Sequence, residues 1–401
     1  MRHSREHLIH LLTEAAEVEH NILCSYLYAA FSIKRGVEEG LTQLEAERVA
    51  QWRRTILEVA VEEMGHLAIV NNLLVAVGGS PHFDRPNLPL APGYHPSCFV
   101  VRLTPFDRET LDHFIYLERP EQETLEEPEA FEPVAELPRD PPSDRLTPHA
   151  ADYETIGQLY GAIRERFGFL VDQRGEGAFV GGIEDGQIGP EILRIPGVEL
   201  ISDLQSALEA LDTIVEQGEG APREREDSHF ARYLRIQREW DELRDINPAF
   251  EPAFRAARDP VMRKPMDDGE RIWITEADAV LRLDLGNALY GEVLTLLTQC
   301  YGPFTVERRR AFGEAAISLM QAVSTLGEAL ARLPANCDHP GTMAGLTFSV
   351  PRNLGFRAAN TSAAALERLD ELRAAYDELF GANSKSPLTR AQQSLNSLRS
   401  D

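Results

Sequence analysis

The sequence predicts an all-α protein, a helical bundle with long loop insertions and additional C-terminal helices. Three observations carry that prediction. Every long apolar pattern steps by three and four residues, the period of a helix that buries one face. The extended-looking pieces are short and confined to the stretch between Pro81 and Pro105. Two helical seams carry ionisable residues at matching depth, which a bundle core tolerates only when those groups have partners.

The first seam reads Ile9, Leu12, Ala16, Glu19, Leu23, Tyr26, Ala30, Ile33 and predicts a helix closed by Gly36 and Gly40. The second reads Ile56, Val59, Glu63, His66, Val70, Leu73, Val77, and Gly78-Gly79-Ser80-Pro81 stops it. Phe99 to Leu103 is a candidate strand, and Arg108 to Tyr116 a short helix. Glu118 to Pro148 is dense in Pro and Glu, too polar to bury itself, and reads as an acidic loop or lid. A third helix covers Tyr153 to Phe167, and a glycine-rich irregular insertion follows it. The fourth runs from Val198 to Gln217, with Glu219 one turn beyond Val215. Ser228 is the N-cap of a further helix that opens on His229. Glu276 to Tyr301, Glu307 to Leu333 and Ser362 to Leu379 are again helical. The chain thus divides into residues 1–240, a metal-binding bundle with insertions at 80–150 and 170–197, and residues 241–401, a helical region packed on it.

Composition narrows the partners. Sixty-five acidic residues against 40 basic ones give a net charge of −25. That balance argues against nucleic acid or an anionic membrane surface as the main partner. Cys24, Cys98, Cys300 and Cys337 are scattered, with no C-x-x-C, and read as the reduced thiols of a cytosolic protein. No 18-residue apolar run occurs, and the opening Met1-Arg2-His3-Ser4-Arg5-Glu6-His7 lacks the apolar stretch of a signal peptide, so the cytoplasm is the expected location.

The chemistry sits in the seams. Glu63 and His66 stand three apart and leave one helix face a turn apart. With Glu19 on the facing seam they would cost several kcal/mol as unpaired buried charges, and a shared metal ion relieves that cost. The bland alternative is a set of hydrogen-bonded core polars. Glu62 lies one position off the seam and reads as a supporting or surface carboxylate. His20 points roughly 100° away from Glu19 and is left out of the metal shell. Glu219 and His229, joined by a turn, are the second half of the candidate site. Glu216 is the substitute, and Glu154 and Gln158 are the polar options on the third helix. Carboxylates and imidazoles without thiolate suit iron or manganese.

Five motifs in order carry a resemblance: Glu17-Val18-Glu19-His20, Glu62-Glu63-Met64-Gly65-His66-Leu67, Thr155-Ile156-Gly157-Gln158-Leu159-Tyr160, Glu216-Gln217-Gly218-Glu219-Gly220 and Ser228-His229-Phe230. Together with the connecting segments Leu103 to Asp107, Leu117 to Pro120 and Ala344 to Phe348, they resemble the ferritin-like family that includes the iminophenylpyruvate (imine) dimer synthase domain of bisindole biosynthesis, of the chromopyrrolate and violacein type. The resemblance implies a ferritin-like four-helix bundle holding one or two iron (Fe2+) ions, with manganese as the alternative metal. It carries over Glu19, Glu63, His66, Glu219 and His229 as ligands. Haem is reported for the wider family, although no haem ligand stands out here. The chemistry implied is oxidative, on an aromatic α-keto or imino acid or a related small molecule. Dioxygen, a partner amino-acid oxidase and a homo-oligomeric assembly are the partners implied. This chain has Gln158 where family members often carry a Glu. The competing class is a non-catalytic ferritin-like protein that stores or senses metal.

Overall fold

The computed structural model describes residues 5–396 except 92, 97–98, 133–138, 140–145, 150, 183–185, 219–224, 266–270, 358–360 and 384. Within them the chain forms α1 (Arg5–Ser32), α2 (Gln43–Ala76), α3 (Arg108–Leu117), α4 (Ile156–Arg174), α5 (Leu204–Gln217), α6 (His229–Ile246), α7 (Ala277–Cys300), α8 (Val306–Leu330), α9 (Thr361–Phe380) and α10 (Pro387–Asn396).

Local sequence sets the ends of these helices. Thr42 and Glu45 form a capping box that starts α2. The helix stops where Gly78 takes φ +84°, a left-handed backbone that glycine adopts without strain. Asp107, Thr155 and Ser228 cap α3, α4 and α6, each side chain accepting a hydrogen bond from the backbone N–H three residues on.

α1 packs along α2 and against α4, α4 against α5, and α5 against α2, which closes a four-helix ring. α3 packs on α6, and α6 also touches α2, where Trp52 stacks on Trp240 with ring centroids 5.7 Å apart. α7 and α8 form a second antiparallel layer against α1, and α9 and α10 cover α7 and α8. The buried side chains make one continuous core across residue 240. Among the described residues only α2 is long and apolar enough to cross a membrane, and 83% of its apolar window is buried inside the fold.

Several expectations are corrected. Phe99–Leu103 is not a strand: the described residues contain isolated bridges and no ladder. Leu103 is instead tied to one residue, Asp259, whose carboxylate accepts from its N–H at 3.1 Å and whose own N–H donates to its carbonyl at 2.8 Å. The fourth helix begins at Leu204 and not at Val198, because Pro196 and Gly197 (φ +78°) precede it and Asp203 supplies the cap. α10 was not expected. Its buried face of Leu388, Ala391 and Leu395 is too short a periodic stretch to stand out.

Candidate metal centre

Glu19 from the middle of α1, Glu63 and His66 from α2, Glu118 from the end of α3 and His229 from the first residue of α6 meet inside the ring. All five are buried to within 1% exposure. The three-residue spacing on α2 puts His66 Nδ1 2.9 Å from Glu63 Oε2, and Glu19 Oε2 lies 3.6 Å from the same nitrogen. The other Glu63 oxygen, Oε1, is 3.0 Å from His229 Nδ1, which is 3.3 Å from Glu118 Oε2. Two triads therefore share Glu63: Glu19, Glu63 and His66, and Glu63, Glu118 and His229. The two imidazoles lie nearly parallel, ring centroids 5.6 Å apart.

The outer atoms of these side chains are held in place. His229 Nε2 meets Glu62 Oε2 at 2.8 Å, and Arg232 pairs with the same carboxylate. His66 Nε2 faces Gln217 Oε1 at 3.1 Å. Tyr160 of α4 donates to Glu19 Oε1, and Tyr26 of α1 donates to Glu118 Oε1. The inner atoms are not satisfied: Glu19 Oε2, Glu63 Oε1, Glu118 Oε2 and His229 Nδ1 are buried and make no hydrogen bond. Unpaired buried polar atoms are costly, and here they converge. Three carboxylates and two imidazoles, with Glu19, Glu118, His66 and His229 each held from outside and Glu63 shared between the two imidazoles, fit a pair of hard or borderline divalent cations.

The electrostatics agree with that fit. Burial, and then the neighbouring Glu63 carboxylate, push Glu19 up to about 8. Burial would raise Glu63 too, but His66 and His229 outweigh it and hold Glu63 well below the usual range. Burial opposes charge on His66, yet Glu63 and Glu19 push it up to about 10. His229 is likewise raised, against burial, by Glu118 and Glu63. Without a cation, the cluster compensates its carboxylates with protons.

Of the residues expected at the site, Glu19, Glu63, His66 and His229 are brought together. Glu219 lies outside the described residues. The end of α5 before it does reach the centre: a Cβ on Gly218 would stand 3.5 Å from both Glu118 Oε2 and His229 Nδ1. Glu216 turns outward to Arg225 at 2.7 Å, and Gln158 accepts from the Glu154 N–H at the start of α4. His20 bonds to Tyr290, away from the cluster. Glu118, expected to open an acidic lid, is instead a fully buried member of the centre. The signal for it was present: Leu111, Phe114 and Glu118 continue the three-and-four stepping of α3 by one more turn.

The Ferritin-like family model matches residues 12–238, the span that supplies the whole cluster. Dichlorochromopyrrolate synthase of Lentzea aerocolonigenes is 30% identical over 392 residues, covering 88% of this chain and 37% of that protein. The 2-imino-3-(indol-3-yl)propanoate dimerase of Chromobacterium violaceum is 28% identical over 357 residues, 82% of this chain and 33% of that protein. The chain therefore spans about a third of the length of these curated relatives. A ferritin-like protein from Caulobacter vibrioides shares the fold, with a TM-score of 0.51 and 19% identity over 85% of this chain and 97% of its own. With more than half its length matched by the family model, the chain belongs to the ferritin-like family.

Proposed function

We propose that this chain is an iron-dependent oxidative enzyme of specialised metabolism, acting on an aromatic α-keto or imino acid with dioxygen as oxidant. The observation that carries the metal half of this reading is the convergence, between two carboxylate–imidazole triads, of four buried atoms that make no hydrogen bond and have only one another and His66 as ion-pair neighbours. Glu19, Glu63 and His66 would hold one ion, and Glu63, Glu118 and His229 a second. The substrate half is supported by the two relatives, one named for chromopyrrolate formation and one for dimerising an indolyl imino acid.

Iron bound there would supply one-electron oxidising chemistry. The chain's own residues do the rest. Glu62 and Gln217 fix the tautomer and direction of His229 and His66 through their outer nitrogens. Tyr160 and Tyr26 occupy one oxygen each of Glu19 and Glu118, leaving the other to point inward. The closed apolar ring of α1, α2, α4 and α5 keeps bulk water out, which strengthens every interaction within the centre.

The test is elemental analysis of the purified protein after anaerobic ferrous loading and desalting, followed by an oxygen-electrode assay with indole-3-pyruvate and ammonium. Two irons per chain and substrate-dependent dioxygen consumption are expected. Absence of stoichiometric iron, or iron without substrate-dependent consumption, overturns the proposal.

A further inference from the structure

α1 and α2 have a second inner face. Neighbouring helix positions point about 100° apart. His20 beside Glu19, and Met64 and Leu67 beside Glu63 and His66, therefore turn away from the carboxylate cluster. They turn into a cavity of about 400 Å3 between α1, α2, α7 and α8, a volume within the usual range for small-molecule sites. Leu27, Phe31, Leu294, Met320 and Phe348 give it apolar and aromatic walls.

Arg194 and Gln321, both exposed, line its outer side, and its buried end is polar as well. His20 and Tyr290 are both buried there and hydrogen-bonded to each other. Arg85 stands directly behind them at 3% exposure. Its Nη2 is 3.3 Å from the Tyr290 hydroxyl, 3.4 Å from Cys24 Sγ and 2.8 Å from the Phe348 carbonyl, and its Nη1 donates to the Pro86 carbonyl at 3.0 Å. Its Nε makes no hydrogen bond. Among the described residues no carboxylate pairs with Arg85, so a full positive charge lies buried behind the polar end without a counter-charge. Burial of such an ion costs several kcal/mol unless an anion offsets it.

The approach to the cavity has the same sign. Val61, Ile195 and Pro196 line both the cavity and a neighbouring cleft of about 680 Å3. That cleft carries Lys34, Arg35, Arg53 and Arg54 against Glu58 and Glu62, and Glu328 pairs with both Arg35 and Arg53, which leaves a small basic excess in a chain of net charge −25. Such a patch steers anions. The cleft also reaches Glu62 and Gln217, the two residues that hold the outer nitrogens of His229 and His66.

We infer that this cavity is the binding site for the aromatic acid, with the ring between the apolar walls and the carboxylate at the His20–Tyr290 end, where Arg85 supplies the counter-charge. The inference rests on the reading above for its substrate class, but its location and residues are independent of the metal. Arg85 is a specificity-determining residue: it selects an acid over a neutral analogue of the same shape.

Calorimetric titration of the full chain with indole-3-acetate and with indole-3-acetamide tests it. The acid is expected to bind at least about tenfold tighter than the amide. Arg85→Met should remove that preference and leave amide affinity within about threefold of wild type, whereas Arg85→Lys should keep the preference. Met320→Trp, which fills the cavity, should weaken both ligands by about tenfold or more. Equal binding of acid and amide by wild type, no binding of either, or unaltered binding by Met320→Trp would each overturn the assignment. Glu63→Ala separates the two readings. Loss of iron with acid binding retained leaves both standing, and loss of acid binding together with iron moves the ligand to the metal centre and overturns this site. Retention of both iron and acid binding sinks the metal centre and leaves the cavity assignment intact.

Discussion

Glu63→Gln removes one negative charge with almost no change of shape, at the single carboxylate both triads share. In the wild-type centre its oxygens face opposite ways, 2.9 Å from His66 Nδ1 and 3.0 Å from His229 Nδ1. Taking one charged partner out of a buried cluster costs about 3–5 kcal/mol when the others stay ionised. Here the two imidazoles can each release a proton, so the metal-free variant should fall at the lower end of that range and keep its helicity, since the apolar seams of α1 and α2 are untouched. Metal binding should suffer far more. Removing a residue that only orients a ligand already weakens a site by about 10–100-fold, and this change replaces the anionic carboxylate shared by both triads with a neutral amide that has a single ligating oxygen. After ferrous loading and desalting, elemental analysis should give two irons per chain for wild type and none for Glu63→Gln. Glu19→Gln and Glu118→Gln each touch one triad and should each retain one ion. Two irons in Glu63→Gln, or a wild-type count in Glu118→Gln, would refute the shared-carboxylate argument.

Two further outcomes derive from charge. Glu19 (about 8) and His66 (about 10) are both raised, so at pH 7 both hold protons that a cation must displace. Iron affinity should therefore rise with pH, by up to about a hundredfold per unit below pH 8 and about tenfold per unit between 8 and 10; a weakly buffered titration at pH 7 that releases no protons contradicts this. Away from the centre, burial pushes Glu292 on α7 up to about 7, although Arg357 stands 3.6 Å away. An acid whose folded pKa is raised is neutral in both states at low pH, and its burial cost appears as pH climbs from the unfolded value through 7. Wild type should lose up to about 3 kcal/mol of stability over that window, and Glu292→Gln should lose none of it. Urea midpoints at pH 4.5 and pH 8 that shift equally in both proteins would refute the linkage.

The helices were legible because period and caps are local properties. The alternation through Glu19 and through Glu63 and His66 places three ionisable residues in buried seams, and Ser228 marks the start of α6 one residue before His229. Glu118 was hidden by its C-terminal neighbours. Arg119, Pro120 and a run of acidic residues make the segment read as loop, while the register of α3 continues through Leu117 and carries the carboxylate inward on one more turn. The Phe99–Leu103 run has strand composition, but a strand needs a partner ladder, and this backbone meets Pro96, Ser25 and Asp259 one at a time. The His20–Tyr290 contact joins residues 270 positions apart, and no local pattern encodes it.

A four-helix ring alone asks α1 to bury one stripe, yet 21 of its 28 residues are buried. A helix apolar on all sides belongs inside a larger assembly, and α1 meets that condition because α8, paired with α7, covers the face that α2 and α4 leave open. The consequence is chemical. Glu19 and His20, adjacent in the chain, face different interiors: one a set of carboxylates and imidazoles drawn together around unsatisfied atoms, the other a largely apolar chamber backed by Arg85, which pairs with no carboxylate among the described residues. A substitution on α1 can therefore act on either interior by a change of one position. Leu27 lines the chamber and stands outside the Glu19 seam, so shortening it should alter ligand affinity while leaving the metal count unchanged, whereas Glu19→Gln should do the reverse.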